Sequence, residues 1–597
     1  MKLILFLIIL IFNILNINCE NLLKVSDVKL AQTHVIPIGG KSWNLKNKNQ
    51  HMSIVGNRRA LLLASFEDQN QYYFASVWLD DRNIGSIELN DPSQLPPTED
   101  NGVKYSKKHH SNMLPKEWIK VGMKIQFACI TIGDNETINT QTSDFFYPDV
   151  GQDYTLKMWT LPFYLFGAND TNTQPFSKVK GIDSEITKEL IEKWSCSELQ
   201  NTNHPIKRID WPYFVVEPRN GYPAIVMKNS DQKRDGFEIM NGALKVLTEI
   251  RREFGEASTS IQIYSPLLHL NSKGKYADTN GGLGGGSRGT GDSSYKGIFI
   301  HEQGHAMGLP HAGEAYNDSS FPYVKGSLLG SEWGYDANHN EFLGTFIPPT
   351  AENYENCKSS SVLDSEGRCV KQSVMQSGAG DQSSKYRFSM FADFEMTTIQ
   401  DYFKNAIYYN NETNVYQKWN DTSKIYYNYK PVTQKNGIWG IDDGAPIERD
   451  IDVYTILFTY STVGPKELSQ FYPILKSKGN LIRHFDPTNK TEMETIIPNI
   501  SPIPWYCHDS GCDYTIRVTF NDGSKQHILL QRGKRQYWSP TTGFKTGIND
   551  PKSSDSFMLS GVNIKATKTI KTVELLETLL GWNGIQSNAT VLVSKSF

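Results

Sequence analysis

The stretch that decides the fold of the central part of the chain is Ile298-Phe-Ile-His-Glu-Gln-Gly-His-Ala-Met-Gly-Leu-Pro-His311, which contains the pattern HExxHxxGxxH. If its first ten residues are helical, His301 and His305 leave the same helix face about 6 Å apart along the axis. Gly308 has no Cβ, so the chain can take a positive φ there and bring His311 back toward the same point. The spacing therefore predicts three imidazoles around one ion.

Three nitrogen ligands and one open coordination position are typical of a catalytic zinc site, in which the pKa of a water falls to roughly 7. Glu302 lies beside the helical histidines, where its carboxylate can take that water's proton. The alternative is a set of ordinary surface or core histidines, because a bare HExxH also occurs by chance. The extended pattern is far more restrictive. We therefore predict one zinc ion per chain, bound by His301, His305 and His311, with Glu302 as the catalytic residue.

Three further motifs accompany this stretch. Thr279-Asn-Gly-Gly-Leu-Gly-Gly-Gly286 precedes it, and Glu332-Trp-Gly-Tyr-Asp336 and Ser373-Val-Met-Gln-Ser-Gly378 follow it. Together they resemble the metzincin class of zinc proteases, and within it the secreted dictomallein metalloproteases and bacterial mucin-cleaving proteases of the StcE/TagA type. The motifs support this resemblance from Gly151 to Asn410, and it extends more weakly into the flanks.

The resemblance implies the same three zinc ligands and the same catalytic glutamate, position by position. It also implies that Met375 is the methionine of the turn below the zinc, with Met390 as a competitor for that role. Some metzincins have a tyrosine two residues after this methionine. Here the position is Ser377, so stabilisation of an oxyanion must come from another group.

The N-terminus is typical of a secretory signal. Met1-Lys2 is followed by an apolar run from Leu3 to Leu15, with cleavage expected near Cys19-Glu20, so residues 1–19 are predicted to be a signal peptide. The apolar run is too short to span ~30 Å comfortably, and no second hydrophobic stretch of ~20 residues follows, so no transmembrane anchor is expected. Lipidation of Cys19 is an alternative.

Composition favours a secreted globular protein. The chain has 597 residues, is 38% hydrophobic and has a net charge of −3, which gives no electrostatic reason for binding nucleic acid. Eight Asn-x-Ser/Thr sequons predict a glycoprotein. They begin at Asn135, Asn169, Asn317, Asn411, Asn420, Asn489, Asn499 and Asn588.

Six cysteines remain after the predicted signal peptide, and an even number in an exported chain predicts disulfide bonds. Six cysteines allow fifteen pairings, and the sequence does not choose among them. Closeness in sequence favours Cys357 with Cys369 and Cys507 with Cys512. Elimination then leaves Cys129 with Cys196.

Hydrophobic patterning predicts a multidomain α+β protein. Short β-rich runs favour a β-sandwich-like domain over residues 20–150 and a second β domain over residues 411–597. Between them, residues 151–410 are predicted to form a metzincin-like catalytic domain with amphipathic helices. The patterns predict helices over 237–254 and 391–407, a strand over 261–270, and strands at 60–64, 73–79, 124–129, 453–459 and 514–520.

The glycine-rich run from Gly281 to Gly291 lacks the Gly-Lys-Ser/Thr ending of a phosphate-binding loop. We therefore predict a flexible loop over or beside the cleft, because glycine lets another backbone approach closely. Two basic segments, Lys107-Lys-His-His110 and Arg532-Gly-Lys-Arg535, are predicted to be solvated; anion, metal or glycan contacts are the alternatives.

These observations favour a secreted zinc endopeptidase that acts on a protein or glycoprotein substrate, with mucin-type glycoproteins implied by the resemblance. The alternative is a secreted glycan- or surface-binding protein with a vestigial zinc site. An intact Glu302 argues against that alternative. The sequence leaves the oligomeric state open.

Overall fold

The computed structural model describes residues 22–46, 48–67, 72–132, 138–351, 354–357, 362–377, 382–433, 441–508, 511–536 and 539–597. The predicted signal peptide over residues 1–19 lies outside this part of the chain. Within it, every helix is too short or too polar to cross a membrane.

The N-terminal region consists of two four-stranded antiparallel sheets with strand orders β2-β1-β5-β8 and β10-β9-β6-β7. Phe66 stacks on Tyr73 with ring centroids 3.8 Å apart, and its ring edge meets Phe127, so the two sheets share one core. The three strands predicted here are confirmed. The strands are β1 Val25–Ala31, β2 Val35–Pro37, β3 Lys41–Leu45, β4 Lys48–Met52, β5 Ala60–Phe66, β6 Tyr72–Leu79, β7 Arg82–Glu88, β8 His110–Leu114, β9 Lys124–Ile132 and β10 Ile138–Phe146.

The central region is organised around β17, which is buried along its whole length. It runs parallel to β11, β12 and β20, and β19 pairs antiparallel with β20 at the edge of the sheet. The predicted strand over 261–270 is therefore confirmed. The strands are β11 Thr155–Thr160, β12 Phe163–Leu165, β13 Glu198–Asn203, β14 Ile209–Trp211, β15 Phe214–Val216, β16 Ile225–Met227, β17 Gln262–Leu270, β18 Tyr276–Ala277, β19 Gly282–Gly285, β20 Arg288–Gly291, β21 Gly334–Asp336 and β22 Glu341–Leu343.

Helices cover both faces of this sheet. Leu283 of β19 packs into the core formed with α3, whereas its neighbours Gly282 and Gly284 face Glu302 of α4. Both predicted helices, over 237–254 and 391–407, are confirmed as α3 and α7. The helices are α1 Phe176–Val179, α2 Ser184–Ile191, α3 Glu238–Glu253, α4 Gly297–Ala306, α5 Ala312–Asn317, α6 Val374–Ser377, α7 Asp393–Lys404 and α8 Lys490–Met493.

The C-terminal region again pairs two sheets, one of β26, β27, β28 and β33 and one of β29, β30, β34 and β35. One face of β26 packs toward α3 through Val453 and Leu457, and the other packs toward the second sheet through Ile456 and Phe458. The strands are β23 Ile407–Asn410, β24 Val415–Asn420, β25 Ile425–Tyr429, β26 Glu448–Ser461, β27 Gln470–Phe471, β28 Leu475–Leu481, β29 Tyr514–Phe520, β30 Lys525–Leu530, β31 Arg535–Gln536, β32 Ser539–Phe544, β33 Phe557–Lys565, β34 Ile570–Glu577 and β35 Val591–Ser596.

The architecture is thus multidomain and mostly β with few helices. The predicted α+β class therefore overstates the helix content. The reason is that both flanking regions consist largely of paired sheets, while the longer helices α3, α4 and α7 belong to the central region.

Two of the three predicted disulfides are present. Cys357 is bonded to Cys369 and Cys507 to Cys512, with Cα atoms 5.9 and 5.1 Å apart. The prediction that Cys129 pairs with Cys196 is wrong, because both are buried thiols. The Cys129 thiol lies on β9 and donates to Gln141 of the neighbouring strand. Elimination failed because a thiol in an apolar core is stable without a disulfide partner.

Candidate metal centre

Helix α4 carries the first two predicted ligands. Its Phe299 and Ile300 are fully buried in the core, which fixes the helix against the sheet. Gly308 has φ +93, as the pattern predicted, and this left-handed residue turns the chain out of the helix. His311 then stands at the N-cap of α5, back beside the two helical histidines.

The imidazoles of His301 and His305 face each other, with their Nε2 atoms 3.1 Å apart. Nδ1 of His301 lies 2.8 Å from the carbonyl oxygen of Val374, and Nδ1 of His305 lies 2.7 Å from that of Leu309. A carbonyl only accepts, so each Nδ1 must hold the proton and each neutral ring directs its Nε2 lone pair at the other.

Two lone pairs at this distance repel each other unless a cation lies between them. Zn–N bonds of 2.0–2.1 Å in a tetrahedral site place two nitrogens ~3.3 Å apart, close to the spacing found here. A carbonyl that holds the second ring N–H is also the usual support of a metal-binding histidine. The donor set therefore fits a zinc ion.

His311 completes the predicted group. Donor atoms of His301, His305 and His311 all lie within 4.8 Å of one another. The His311 side chain is 47% exposed, and its Nδ1 lies 3.4 Å from Glu314. The third imidazole thus approaches from the solvent side, and the structure brings all three predicted ligands together.

The electrostatics of the helical pair favour neutral rings. Burial lowers the pKa of His301 to about 4, and the nearby His305 and His311 lower it further against the opposing effect of the Val374 carbonyl. Burial also lowers the pKa of His305. Near neutral pH both Nε2 lone pairs are therefore available to a metal.

Glu302 lies under the edge strand and is only 7% exposed. Burial raises the pKa of its carboxyl to about 8. A Cβ at Gly282 would lie 2.7 Å from Oε1 of Glu302, and a Cβ at Gly284 would overlap the Glu302 carbonyl oxygen. The Glu302 side chain therefore fits only because Gly282 lacks a side chain, and its backbone fits only because Gly284 lacks one.

The predicted flexible loop over 281–291 is instead the ordered hairpin of β19 and β20. The glycines do allow a close approach, but the partner is helix α4. Sequence reasoning missed the specific role of Gly282 and Gly284. The alternation Gly282-Leu283-Gly284, with one face bare and the other apolar, was the available signal for a strand pressed against a helix.

Met375 lies directly against helix α4. A Cβ at Gly304 would overlap the Met375 Sδ, so the thioether occupies the space that this glycine leaves. Met390, the competing residue, contacts Gly334 through its terminal methyl and sulfur. Met375 thus packs against the helix that carries His301 and His305, whereas Met390 packs against β21.

The segment before Met375 is held by a buried carboxylate that the sequence analysis did not single out. The Ser373 hydroxyl lies 2.7–2.8 Å from the two carboxylate oxygens of Glu395, which also accepts from the backbone N–H of Ala392 at 2.6 Å. The next carbonyl along the chain, that of Val374, is the one that orients His301. Glu395 therefore supports the metal centre from α7.

A second group of possible ligands is Glu189, Asp336 and His339. The His339 Nε2 lies 3.2 Å from Glu189, and the Lys193 ammonium lies 3.4 Å from Asp336 with both side chains almost fully buried. Because Lys193 already pairs with Asp336 and His339 with Glu189, the group is a buried ionic network that joins α2 to β21.

Comparison with known proteins agrees with this geometry. A model of the family described as Peptidase M66 matches residues 99–408. Dictomallein-3 of Dictyostelium discoideum is 74% identical over 597 residues, which cover both chains completely. Dictomallein-1 of the same organism is 54% identical over the full length of both chains. Dictomallein of Burkholderia mallei is 38% identical over 582 residues, which cover 96% of this chain and 83% of that protein.

Peptidases of family M66 are metallopeptidases, and the three histidines supply a possible metal site. The matched family and the full-length relatives together show that this chain belongs to the peptidase M66 family, as a protease of the dictomallein type.

Proposed function

We propose that the protein is a zinc-dependent endopeptidase with His301, His305 and His311 as zinc ligands. The observation that carries this proposal is the facing pair of Nε2 atoms, 3.1 Å apart, whose rings are both fixed by backbone carbonyls at Nδ1. Zinc held there would supply Lewis acidity, which polarises a peptide carbonyl and lowers the pKa of a water.

Glu302 is proposed as the general base and acid. Its carboxylate takes the proton of the attacking water and then delivers a proton to the departing amine nitrogen. Burial raises the pKa of Glu302 and thereby strengthens its carboxylate as a base, while a bound cation would oppose that rise. Gly282 leaves the space beside this carboxyl group, and Gly284 lets β19 approach the Glu302 backbone.

The edge strand β19 is proposed to bind the substrate. Among the described residues it pairs with β20 on one side, and its partly buried backbone runs beside Glu302. An extended peptide can add to such an edge through main-chain hydrogen bonds, which orient it without reading much of its sequence.

The proposal also includes the predicted catalytic domain, the role of Met375 and secretion. Residues 151–410 form the metzincin-like catalytic domain, Met375 supports the metal, and the protein is secreted as a glycoprotein. The boundary at 410 falls within a β-hairpin, because β23 (Ile407–Asn410) pairs with β24 (Val415–Asn420). The chain therefore enters the C-terminal region through a continuous β-meander.

Mucin-type glycoproteins are the proposed substrate class, supported by the resemblance to mucin-cleaving proteases. Matched peptides with and without O-linked sugars should be compared by kcat/KM. Preference for the glycosylated peptide supports this class, and equal or better cleavage of the bare peptide contradicts it.

The zinc proposal is tested by metal analysis of the purified protein together with a proteolysis assay. We expect about one zinc per chain, loss of activity on chelation and recovery on adding zinc. Chelation should also lower the Tm, because a ligand that binds only the folded state stabilises it. Full proteolysis in the metal-free protein would refute the proposal.

A further inference from the structure

His311 is held less directly than the other two proposed zinc ligands. His301 and His305 each have a backbone carbonyl oxygen at Nδ1, at 2.8 and 2.7 Å. Among the described residues, the imidazole of His311 has no carbonyl at hydrogen-bond distance, and its Nδ1 lies 3.4 Å from the exposed carboxylate of Glu314. The position of this third ring must therefore depend mainly on the backbone that carries it.

That backbone is the start of the short helix α5. His311 is the N-cap residue, but its side chain makes no capping hydrogen bond. An N-cap side chain ordinarily accepts from the N–H of the second or third helical residue, which has no partner within the helix. An imidazole with one nitrogen on a metal and a proton on the other has no lone pair left for this role. The first turn of α5 therefore needs an acceptor from another segment.

Gln376 of α6 supplies that acceptor. Its side-chain oxygen accepts from the backbone N–H of Gly313, the second residue of α5, at 2.7 Å. An N–H only donates, which fixes the orientation of the Gln376 amide. A Cβ at Gly326 would lie 2.7 Å from the Gly313 nitrogen and 3.0 Å from Oε1 of Gln376. The hydrogen bond thus lies where three segments of the chain converge, and the third can approach only because it is glycine.

Gln376 is the last of three consecutive residues that contact the carriers of all three ligands. The carbonyl of Val374 accepts from His301, and the sulfur of Met375 packs against helix α4. Gln376, the next residue, holds the helix that begins at His311. One short segment therefore sets the helical pair and the third ligand relative to each other.

We infer that Gln376 is a positioning residue for the third metal ligand. Its amide oxygen fixes the backbone of α5, and His311 at the start of that helix is thereby held beside His301 and His305. This inference rests on the proposed function, because it takes His311 as a zinc ligand. Gln376 acts through His311 and is not itself assigned as a ligand or a catalytic residue.

The exposure of Gln376 makes this role testable. Gln376 is exposed, whereas Val374 and Met375 before it are fully buried. A change of the Gln376 amide should therefore leave the hydrophobic core intact, so that its effect can be assigned to the hydrogen bond with Gly313.

The test is the zinc affinity of the full chain, measured by competition with a chromogenic chelator. Gln376→Met keeps nearly the same shape without the amide oxygen, and it should weaken zinc binding by about tenfold or more, as loss of a group that supports a metal ligand does. Gln376→Glu keeps an oxygen for the Gly313 N–H and should retain at least the wild-type affinity. Gln526→Met, which changes an exposed glutamine of β30, is the matched control and should bind zinc as the wild type does.

A double-mutant cycle with His311→Ala shows whether Gln376 acts through that ligand. In the His311→Ala background, Gln376→Met should cause no further loss of zinc affinity, because the ring that it positions is gone. The Tm of each metal-free variant is measured alongside. A lowered Tm with unchanged zinc affinity would mean that Gln376 only caps the helix, which overturns the inference.

These measurements separate the inference from the proposed function. If the wild type binds no zinc, or if His311→Ala binds it as tightly as the wild type, the proposed ligand set is wrong and the inference falls with it. If both behave as proposed but Gln376→Met keeps the wild-type affinity, or loses the same affinity with and without His311, only the inference is overturned. If Gln376→Met does not fold, Gln376→Ala removes the same oxygen and carries the same expectations.

Discussion

Gly284 lies directly against the backbone carbonyl of Glu302, so closely that a single methyl group at position 284 would overlap that oxygen. Gly282, two residues earlier, lies against the Glu302 side chain in the same way. The edge strand β19 and helix α4 are thus in contact through bare backbone. The position of Glu302, the proposed general base, depends on two residues that carry no chemistry of their own.

The first prediction concerns this contact. Gly284→Ala should force β19 away from α4, lower stability by about 1–3 kcal/mol, as overpacking does, and reduce kcat/KM because Glu302 moves. Gly281→Ala is the control, since a Cβ there would meet only the Met240 methyl at 3.9 Å. Chemical denaturation and peptide hydrolysis measure both effects. Wild-type behaviour of Gly284→Ala would show that the strand and helix can separate without cost.

The second prediction separates the proton-transfer role from metal binding. Glu302→Gln should lower kcat/KM by ~10²–10⁴-fold while zinc content stays near one per chain, because the residue moves protons and does not coordinate. Glu185→Gln, which changes an exposed acid on α2, is the control and should keep its activity. Substantial turnover by Glu302→Gln would refute its assigned role.

The third prediction concerns the ligand set. His311→Ala should weaken zinc binding, because two imidazoles hold the ion less firmly than three. Competition with a chromogenic chelator measures the affinity. Since His311 is about half exposed, the substitution should leave the fold intact, and circular dichroism checks this point. Unchanged affinity would mean that another residue is the third ligand.

The fourth prediction follows from Glu395. Burial raises its pKa to about 7, against the opposing hydrogen bonds of Ser373 and Ala392. The folded protein therefore retains a proton that the unfolded chain releases near its ordinary pKa of 4.5. This contribution to stability is fully present below pH ~4.5 and is lost as pH rises through ~7.

Glu395→Gln, which cannot ionise, should flatten the decrease in the free energy of unfolding between pH ~4.5 and ~7. Urea denaturation at intervals across this range measures the slope. Glu366→Gln alters an exposed acid with a side chain 68% accessible and should leave the slope unchanged. An identical slope in wild type and Glu395→Gln would contradict the prediction.

The fifth prediction concerns the cysteines. Peptide mapping without reduction should recover Cys357 linked to Cys369 and Cys507 linked to Cys512. Cys129 and Cys196 should react with an alkylating agent only after unfolding, because both are buried and burial raises the pKa of Cys196 to about 12. A Cys129–Cys196 linked fragment would contradict this assignment.

The sequence by itself determined the local features of this protein. The spacing of His301 and His305 and the glycine at 308 act within one turn of helix and the residue that ends it, so their geometry follows from backbone rules alone. The helix at α3 was predicted for the same reason, because its apolar residues recur with the period of a helix.

Only the tertiary structure decided what these elements meet. The packing of Met375 on Gly304, the support of His301 by Val374 and Glu395, and the thiol state of Cys129 all depend on contacts between residues far apart in sequence. The run from Gly281 to Gly291 is the clearest example. Its glycines indicate that another segment of the chain lies close, but the sequence does not identify that segment. Packing of β19 on α4 supplied that answer, since the overlap of a Cβ with Glu302 exists only once strand and helix share one core.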